Sequence, residues 1–221
     1  MLKKRQVLLA LCTVCALLSA VNSLDCLKCD GGTSCSATSQ TCSNSETCLT
    51  FSSTSVGFQQ YGFTQNGFVK KCGPKLQTCG QLLSAKFTNQ LRVESRVECC
   101  DTNQCNTGVY NVALTGDSSN GKQCPSCVGT GSCGTDLVNC LGTQDQCITL
   151  TGAAPGIPTV TLKGCATKAA CDKDSLVTAW PFLSNLQVAC NAASANGFIP
   201  LGINMFMIAG AASLALGFVF N

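Results

Sequence analysis

Histidine is absent from the 221 residues, only 11% are charged and only 6% are aromatic. Without His there is no His-based catalytic dyad or triad and no His metal site. The formal net charge of +3 overstates the basic character. Lys3, Lys4 and Arg5 supply three of the fourteen basic residues, and the other eleven balance eleven Asp and Glu. The rest of the chain therefore lacks the basic excess that nucleic acid or an anionic membrane surface requires. No Asn-x-Ser/Thr sequon occurs, so N-glycosylation is not expected; Asn103 opens only the rare cysteine variant with Cys105. No window before the C-terminal tail sustains a helical period with caps. Composition thus argues against most enzymes, and no cofactor or metal is expected.

Cysteine is abundant. Twenty cysteines in 221 residues is about 9%, the level of a disulfide scaffold. Two leave with the N-terminus. Met1 to Ser23 reads as a secretory signal peptide, with Lys3, Lys4 and Arg5 as the positive region and Val7 to Leu18 as an apolar run too short to span a bilayer. Val21 and Ser23 suit the positions before cleavage at Leu24, with cleavage after Ala20 as the fallback. Cys12 and Cys15 lie in this segment, so eighteen cysteines remain.

The C-terminus carries the second half of an address. Phe198 to Phe220 is apolar apart from Asn204 and Ser213, no Lys or Arg follows it, and Asn191, Ala192, Ala193, Ser194 and Ala195 precede it. Small residues, a short spacer and a terminal hydrophobic tail form the signal for a glycosylphosphatidylinositol (GPI) anchor, in which the tail is exchanged for lipid. Ser194 is the expected attachment residue and Asn191 the second choice. A transmembrane helix of this length would normally continue into a basic cytoplasmic flank.

The remaining cysteines fall into two groups: Cys26, Cys29, Cys35, Cys42, Cys48, Cys72, Cys79, Cys99, Cys100 and Cys105, then Cys124, Cys127, Cys133, Cys140, Cys147, Cys165, Cys171 and Cys190. The intervals are 3, 6, 7, 6, 24, 7, 20, 1 and 5 in the first and 3, 6, 7, 6, 18, 6 and 19 in the second. Four consecutive matches indicate one duplicated module. Between the groups, Thr115 to Gly121 is a run of turn and linker residues. The expected organisation is a signal peptide at 1–23, a module at 24–106, a linker at 107–121, a second module at 122–191 and an anchor signal at 192–221.

Modules of this size bury only about 60% of their chain surface and need staples. In a secreted chain the cysteines are expected to be oxidised. Zinc at Cys26 and Cys29, or at Cys124 and Cys127, is disfavoured by the oxidising compartment and the missing His. Strands are expected at Glu46 to Phe51, Gly67 to Cys72 and Leu91 to Cys99, and in the second module at Gln146 to Leu150, Thr159 to Cys165 and Leu186 to Cys190. Along Leu91 to Cys99 the apolar positions alternate with Arg92, Glu94, Arg96 and Glu98, which are expected on a solvated face.

The opening Leu24, Cys26 and Cys29, and the closing Cys99, Cys100, Asp101, Cys105 and Asn106, resemble the lymphocyte-antigen-6/urokinase-receptor family of three-finger domains. The resemblance covers 24–106 and 122–191. It implies an all-β, small disulfide-rich fold with two three-finger modules in tandem, each a disulfide knot projecting three β-hairpin loops. It implies the pairs Cys26–Cys48, Cys29–Cys35, Cys42–Cys72, Cys79–Cys99 and Cys100–Cys105, then Cys124–Cys147, Cys127–Cys133, Cys140–Cys165 and Cys171–Cys190. The second module departs from the pattern at Ala189, Cys190 and Asn191, with no double cysteine and no closing bridge.

The function expected is that of a non-catalytic cell-surface protein in the secretory pathway, anchored by GPI lipid in the outer leaflet. It would bind an extracellular protein ligand or a neighbouring membrane receptor. A secreted two-module inhibitor of a hydrolase, similar to the gamma-type phospholipase inhibitors, is the alternative. Phe58, Tyr61 and Phe63, spaced by Gln and Gly between two strands, are the expected ligand-binding residues at an exposed loop tip. Thr33 to Thr41 offers Ser and Thr side chains for O-glycosylation.

Overall fold

The computed structural model describes residues 23–29, 32, 34–58, 66–154, 156–180 and 183–195. The first 22 residues of the expected signal peptide and the apolar tail lie outside that set. Among the described residues no helix is long and apolar enough to cross a membrane.

In the first repeat β1 (Asp25–Lys28) pairs with β2 (Thr38–Thr41). The strands β3 (Glu46–Val56), β4 (Asn66–Pro74), β5 (Leu82–Lys86) and β6 (Arg92–Cys100) then form a sheet. The second repeat supplies β7 (Ser119–Pro125), β8 (Cys127–Gly129), β9 (Leu137–Leu141), β10 (Gln146–Ala154), β11 (Ile157–Ala166) and β12 (Ser184–Ala192). The strands expected from sequence all occur, most of them extended by several residues. The β-branched and aromatic positions that suggested them pack on a pleated, half-buried surface.

Between β11 and β12 the chain departs from the expectation of no helix. A 3-10 turn at Lys168–Cys171 leads into α1 (Lys173–Ala179). Seven residues are too few to display a period, and an isolated helix of that length is unstable in water. Tertiary burial holds it: Leu176, Ala179 and the following Trp180 are inside the core. In the first repeat the corresponding segment between Cys79 and Cys99 is β5, a strand.

The two repeats are not beads on a string. One eight-stranded sheet runs β12-β10-β11-β5-β6-β3-β4, with β8 also on β11. The junction is the antiparallel contact of β11 with β5, where Cys165 faces Lys86 and Ala166 faces Ala85. Gly164 makes this approach possible, because a Cβ there would collide with the main chain of Lys86 and Phe87. A single core draws on both repeats, with Leu49, Phe51, Leu83 and Phe87 packed together with Ile148, Leu150, Leu176 and Trp180. Two smaller clusters hold the knots, one around Cys26, Cys42, Cys48 and Cys72, the other around Cys124, Cys140, Cys147 and Cys165.

Nine disulfides are present among the described residues. The first repeat has Cys26–Cys48, Cys29–Cys35, Cys42–Cys72, Cys79–Cys99 and Cys100–Cys105. The second has Cys124–Cys147, Cys127–Cys133, Cys140–Cys165 and Cys171–Cys190.

Strand register sorts the first sheet into two faces. Phe51 opposes Val97, Ser53 opposes Ser95 and Ser55 opposes Val93, so these residues share one face. That face meets α1, which packs against β3 and β6 as well as its own β12. The other face carries Thr50, Ser52 and Thr54 of β3, Phe68 and Lys70 of β4, and Arg92, Glu94, Arg96 and Glu98 of β6. It was expected to be solvated. Instead Thr50, Ser52, Lys70 and Glu94 are buried, Glu94 to 1% exposure. The chain joining the repeats covers them.

Candidate functional site

The joining segment behaves as a strap. Residues 107–118 form neither helix nor strand, yet three of the four strands of the first sheet send a polar side chain to hold them. Lys70 Nζ of β4 donates to Thr107 O at 2.6 Å. Ser52 Oγ of β3 accepts from Tyr110 N–H at 3.3 Å, and Thr54 Oγ1 donates to Val112 O at 2.5 Å. On β6, Glu94 Oε2 accepts from Thr115 N–H at 3.0 Å, and Arg92 donates to Thr115 O at 3.0 Å and to Asp117 at 2.7 Å. The buried carboxylate is satisfied further by Ser84 Oγ–H at 3.3 Å.

The next strand continues the pattern into the second repeat. Ser84 Oγ accepts from Gln144 Nε2 at 2.8 Å, and Lys86 Nζ donates to Asn139 O at 3.2 Å. Burial pushes the ammonium groups of Lys70 and Lys86 below the usual lysine range; for Lys86, Asp117 works against that trend. Each buried polar group of this face has a partner except Thr50 Oγ1, which has none among the described residues.

A cleft of about 580 Å³ opens where the strap crosses the outer part of the β3–β4 hairpin. Ser52 to Thr54, Gly67 and Phe68 form one wall, and Val109 to Leu114 form the other. No lining residue is Asp, Glu, Lys or Arg. Val109 and Tyr110 are 54% and 41% exposed and are two of the four large apolar side chains exposed among the described residues. Two such residues side by side on a cleft mark a binding surface better than scattered ones do. The sequence treats 107–121 as linker. The one signal against that was that Val109, Val112, Ala113 and Leu114 are apolar, unlike the Gly, Ser and Asn that follow.

The expected ligand-binding residues fare differently. Phe58 is 3% exposed, belongs to the shared core and meets Phe87 edge-to-face with centroids 6.3 Å apart. The aromatic at the end of β3 is therefore a core residue and not part of an exposed tip. The cause is tertiary: Phe87 and Leu91, brought alongside by the β5–β6 hairpin, offer it an apolar site. Tyr61 and Phe63 lie outside the described residues. The two candidate anchor residues are separated by context. Asn191 sits within β12, paired with Cys147, as Cys100 pairs with Cys48 in the first repeat. It thus takes the register place of Cys100 and not that of Asn106. Ser194 lies beyond the strand, its carbonyl accepting from Gln123 N–H at 2.9 Å.

Among the described residues Asn106 has no counterpart in the second repeat. Its Oδ1 accepts from Leu27 N–H at 2.9 Å, and its Nδ2 donates to Leu27 O at 2.9 Å and Leu49 O at 3.2 Å. It therefore ties the chain after the last bridge to β1 and β3. Among the described residues three trios of cysteine sulfurs lie within 4.8 Å of one another, Cys26, Cys42 and Cys72 among them. Every sulfur in them is bonded in a disulfide, so none offers a thiolate to a metal.

Comparison with known proteins agrees with a binding scaffold. No protein-family model matches the chain. A gamma-type phospholipase A2 inhibitor of Gloydius brevicaudus siniticus is 34% identical over 157 residues, 66% of this chain and 76% of that protein. Phospholipase A2 inhibitor NAI of Notechis ater is 31% identical over 172 residues, 74% of this chain and 84% of that protein. The urokinase plasminogen activator surface receptor of Mus musculus is 33% identical over 100 residues, 42% of this chain and 30% of that protein.

Proposed function

The chain belongs to the lymphocyte-antigen-6/urokinase-receptor family, and on that premise we propose that it is a non-catalytic binding protein of the extracellular face, held on the outer leaflet by GPI lipid. Its two modules are 24–106 and 122–191, and its protein ligand meets the first module at the strap cleft. The carrying observation is the pair Val109 and Tyr110, exposed on a cleft whose lining holds no ionised group. Such a lining sets no carboxylate, imidazole or amine beside its Ser, Thr and Tyr hydroxyls to activate them, and offers much with which to bury apolar surface. Aromatic residues at such a position commonly anchor interfaces.

The anchoring half of the reading is supported by the small residues at 191–195 ahead of the apolar run. Ser194 suits attachment better than Asn191, because attachment at Asn191 would remove the end of β12. Cells displaying the full chain should release it on treatment with phosphatidylinositol-specific phospholipase C. Retention at the surface by a chain still carrying Phe198 to Asn221 would count against the anchor. For the binding half, surface cross-linking on such cells should recover a protein partner that Val109→Ser/Tyr110→Ser cells do not. Equal recovery by both would remove the cleft from consideration.

The names of two relatives favour a second reading, a secreted inhibitor of a phospholipase A2. It predicts undiminished protein in the medium without lipase treatment, and inhibition of a phospholipase A2 by the purified chain.

A further inference from the structure

The strap is short of hydrogen-bond partners. Among the described residues Val109 to Leu114 make no main-chain to main-chain hydrogen bond. Of their N–H and C=O groups only Tyr110 N–H and Val112 C=O are partnered, each by a side chain of β3. The strap advances two residues, Tyr110 to Val112, while β3 advances two, Ser52 to Thr54. A strand rises about 3.3 Å per residue, so the strap is close to full extension here. It therefore presents a row of open donors and acceptors beside a cleft, the arrangement of an unpaired strand edge.

The lining decides the chemistry of the occupant. It carries no formal charge, so an ion placed there would lose water without gaining a counter-ion. A hydrocarbon chain would match Phe68, Val109 and Tyr110 but leave the main-chain groups of the strap unpaired. An extended polypeptide satisfies both demands, pairing its backbone and laying alternate side chains against the apolar wall. Resting on the reading that this cleft receives a protein, we propose that it binds an uncharged, extended segment of that partner, which adds as a strand along Val109–Leu114.

The probe is a bead library of N-acetylated, C-amidated octapeptides without Asp, Glu, Lys, Arg or His, screened with the full chain in detergent. Selected peptides are resynthesised with N-methyl groups on alternate amides, in both parities. Strand addition predicts at least a ten-fold loss of affinity for one parity, little change for the other, and at least ten-fold slower amide exchange within 109–114. Equal affinity of both methylated forms with no protection of the strap would overturn it, as would binding of a neutral dodecyl-chain probe where every peptide fails. If no peptide binds while Val109→Ser/Tyr110→Ser still loses its partner on cells, strand addition fails and the protein-binding reading survives. If neither assay responds, both fail.

Discussion

The indole N–H of Trp180 donates to Ser95 Oγ at 3.0 Å, across 85 residues and from one repeat to the other. Both residues are fully buried, and the indole also meets Phe87 edge-to-face with centroids 6.4 Å apart. Trp180 is the only tryptophan, so its fluorescence reports directly on the seam. Ser95→Ala should remove the buried acceptor that the indole N–H meets and lower stability by about 1–3 kcal/mol. Trp180→Ala should cost about 3–5 kcal/mol. In the wild-type chain the fluorescence and far-ultraviolet circular dichroism transitions in urea should coincide. Separate transitions would show that the repeats unfold independently.

Gly164 provides a second probe of the same junction. An alanine there would drive its Cβ into the main chain of Lys86 and Phe87, and backbone cannot rotate out of the way as a side chain can. Gly164→Ala should therefore destabilise by at least about 1–3 kcal/mol through overpacking. Gly80→Ala has open space for the methyl but a φ of +76°, so it tests backbone strain without a clash and should cost less. Equal urea midpoints for the two variants would mean that β5 and β11 can separate at little expense.

Asn106 holds three main-chain groups with one amide. Asn106→Ala should cost at least about 2 kcal/mol, since the part-buried main-chain groups of Leu27 and the buried carbonyl of Leu49 lose their partner. Asn106→Asp is nearly the same size, yet it points a carboxylate oxygen at two carbonyls and should be no better tolerated. A comparison of urea midpoints, with the slopes unchanged, checks both.

Asp101 gives a dependence on pH with a definite sign. The Thr47 hydroxyl and then the Lys75 ammonium, at 2.6 and 3.2 Å, hold its carboxyl below the ordinary value of 3.8. A carboxylate depressed in the folded state contributes stability that is complete above its unfolded value and is lost as pH falls through the folded one. The stability difference between wild type and Asp101→Asn should thus be constant from neutral pH down to about 5. It should shrink below 3.8. Both residues of the ion pair are largely exposed, so added salt should reduce the difference.

Much of the architecture was legible because it rests on local or covalent signals. The repeated cysteine intervals exposed the duplication, and alternation in Leu91 to Cys99 marked β6. What escaped the sequence depends on long-range contact. Lys173 to Ala179 is too short to show a helical period, and its stability comes from Leu176 and Trp180 entering a core built by both repeats. Glu94 reads as a surface charge until the strap arrives with Thr115 N–H. Phe58 reads as a loop-tip anchor until Phe87, 29 positions later, closes over it. The strap cleft was hidden for the same reason, because its two walls are more than 40 positions apart in the chain.

The seam through Lys86, Gly164 and Trp180 also bears on how such a chain can be altered by recombination. A duplicated segment begins as an interchangeable part. Here the copies have diverged into complementary halves, one supplying the strand and the other the glycine and the helix that accept it. Grafting either half onto a foreign partner would expose Leu83 and Phe87, or Leu176 and Trp180, to water. A functional chimera must therefore carry both sides of the seam, and the pair, not the single repeat, is the smallest unit that can be exchanged.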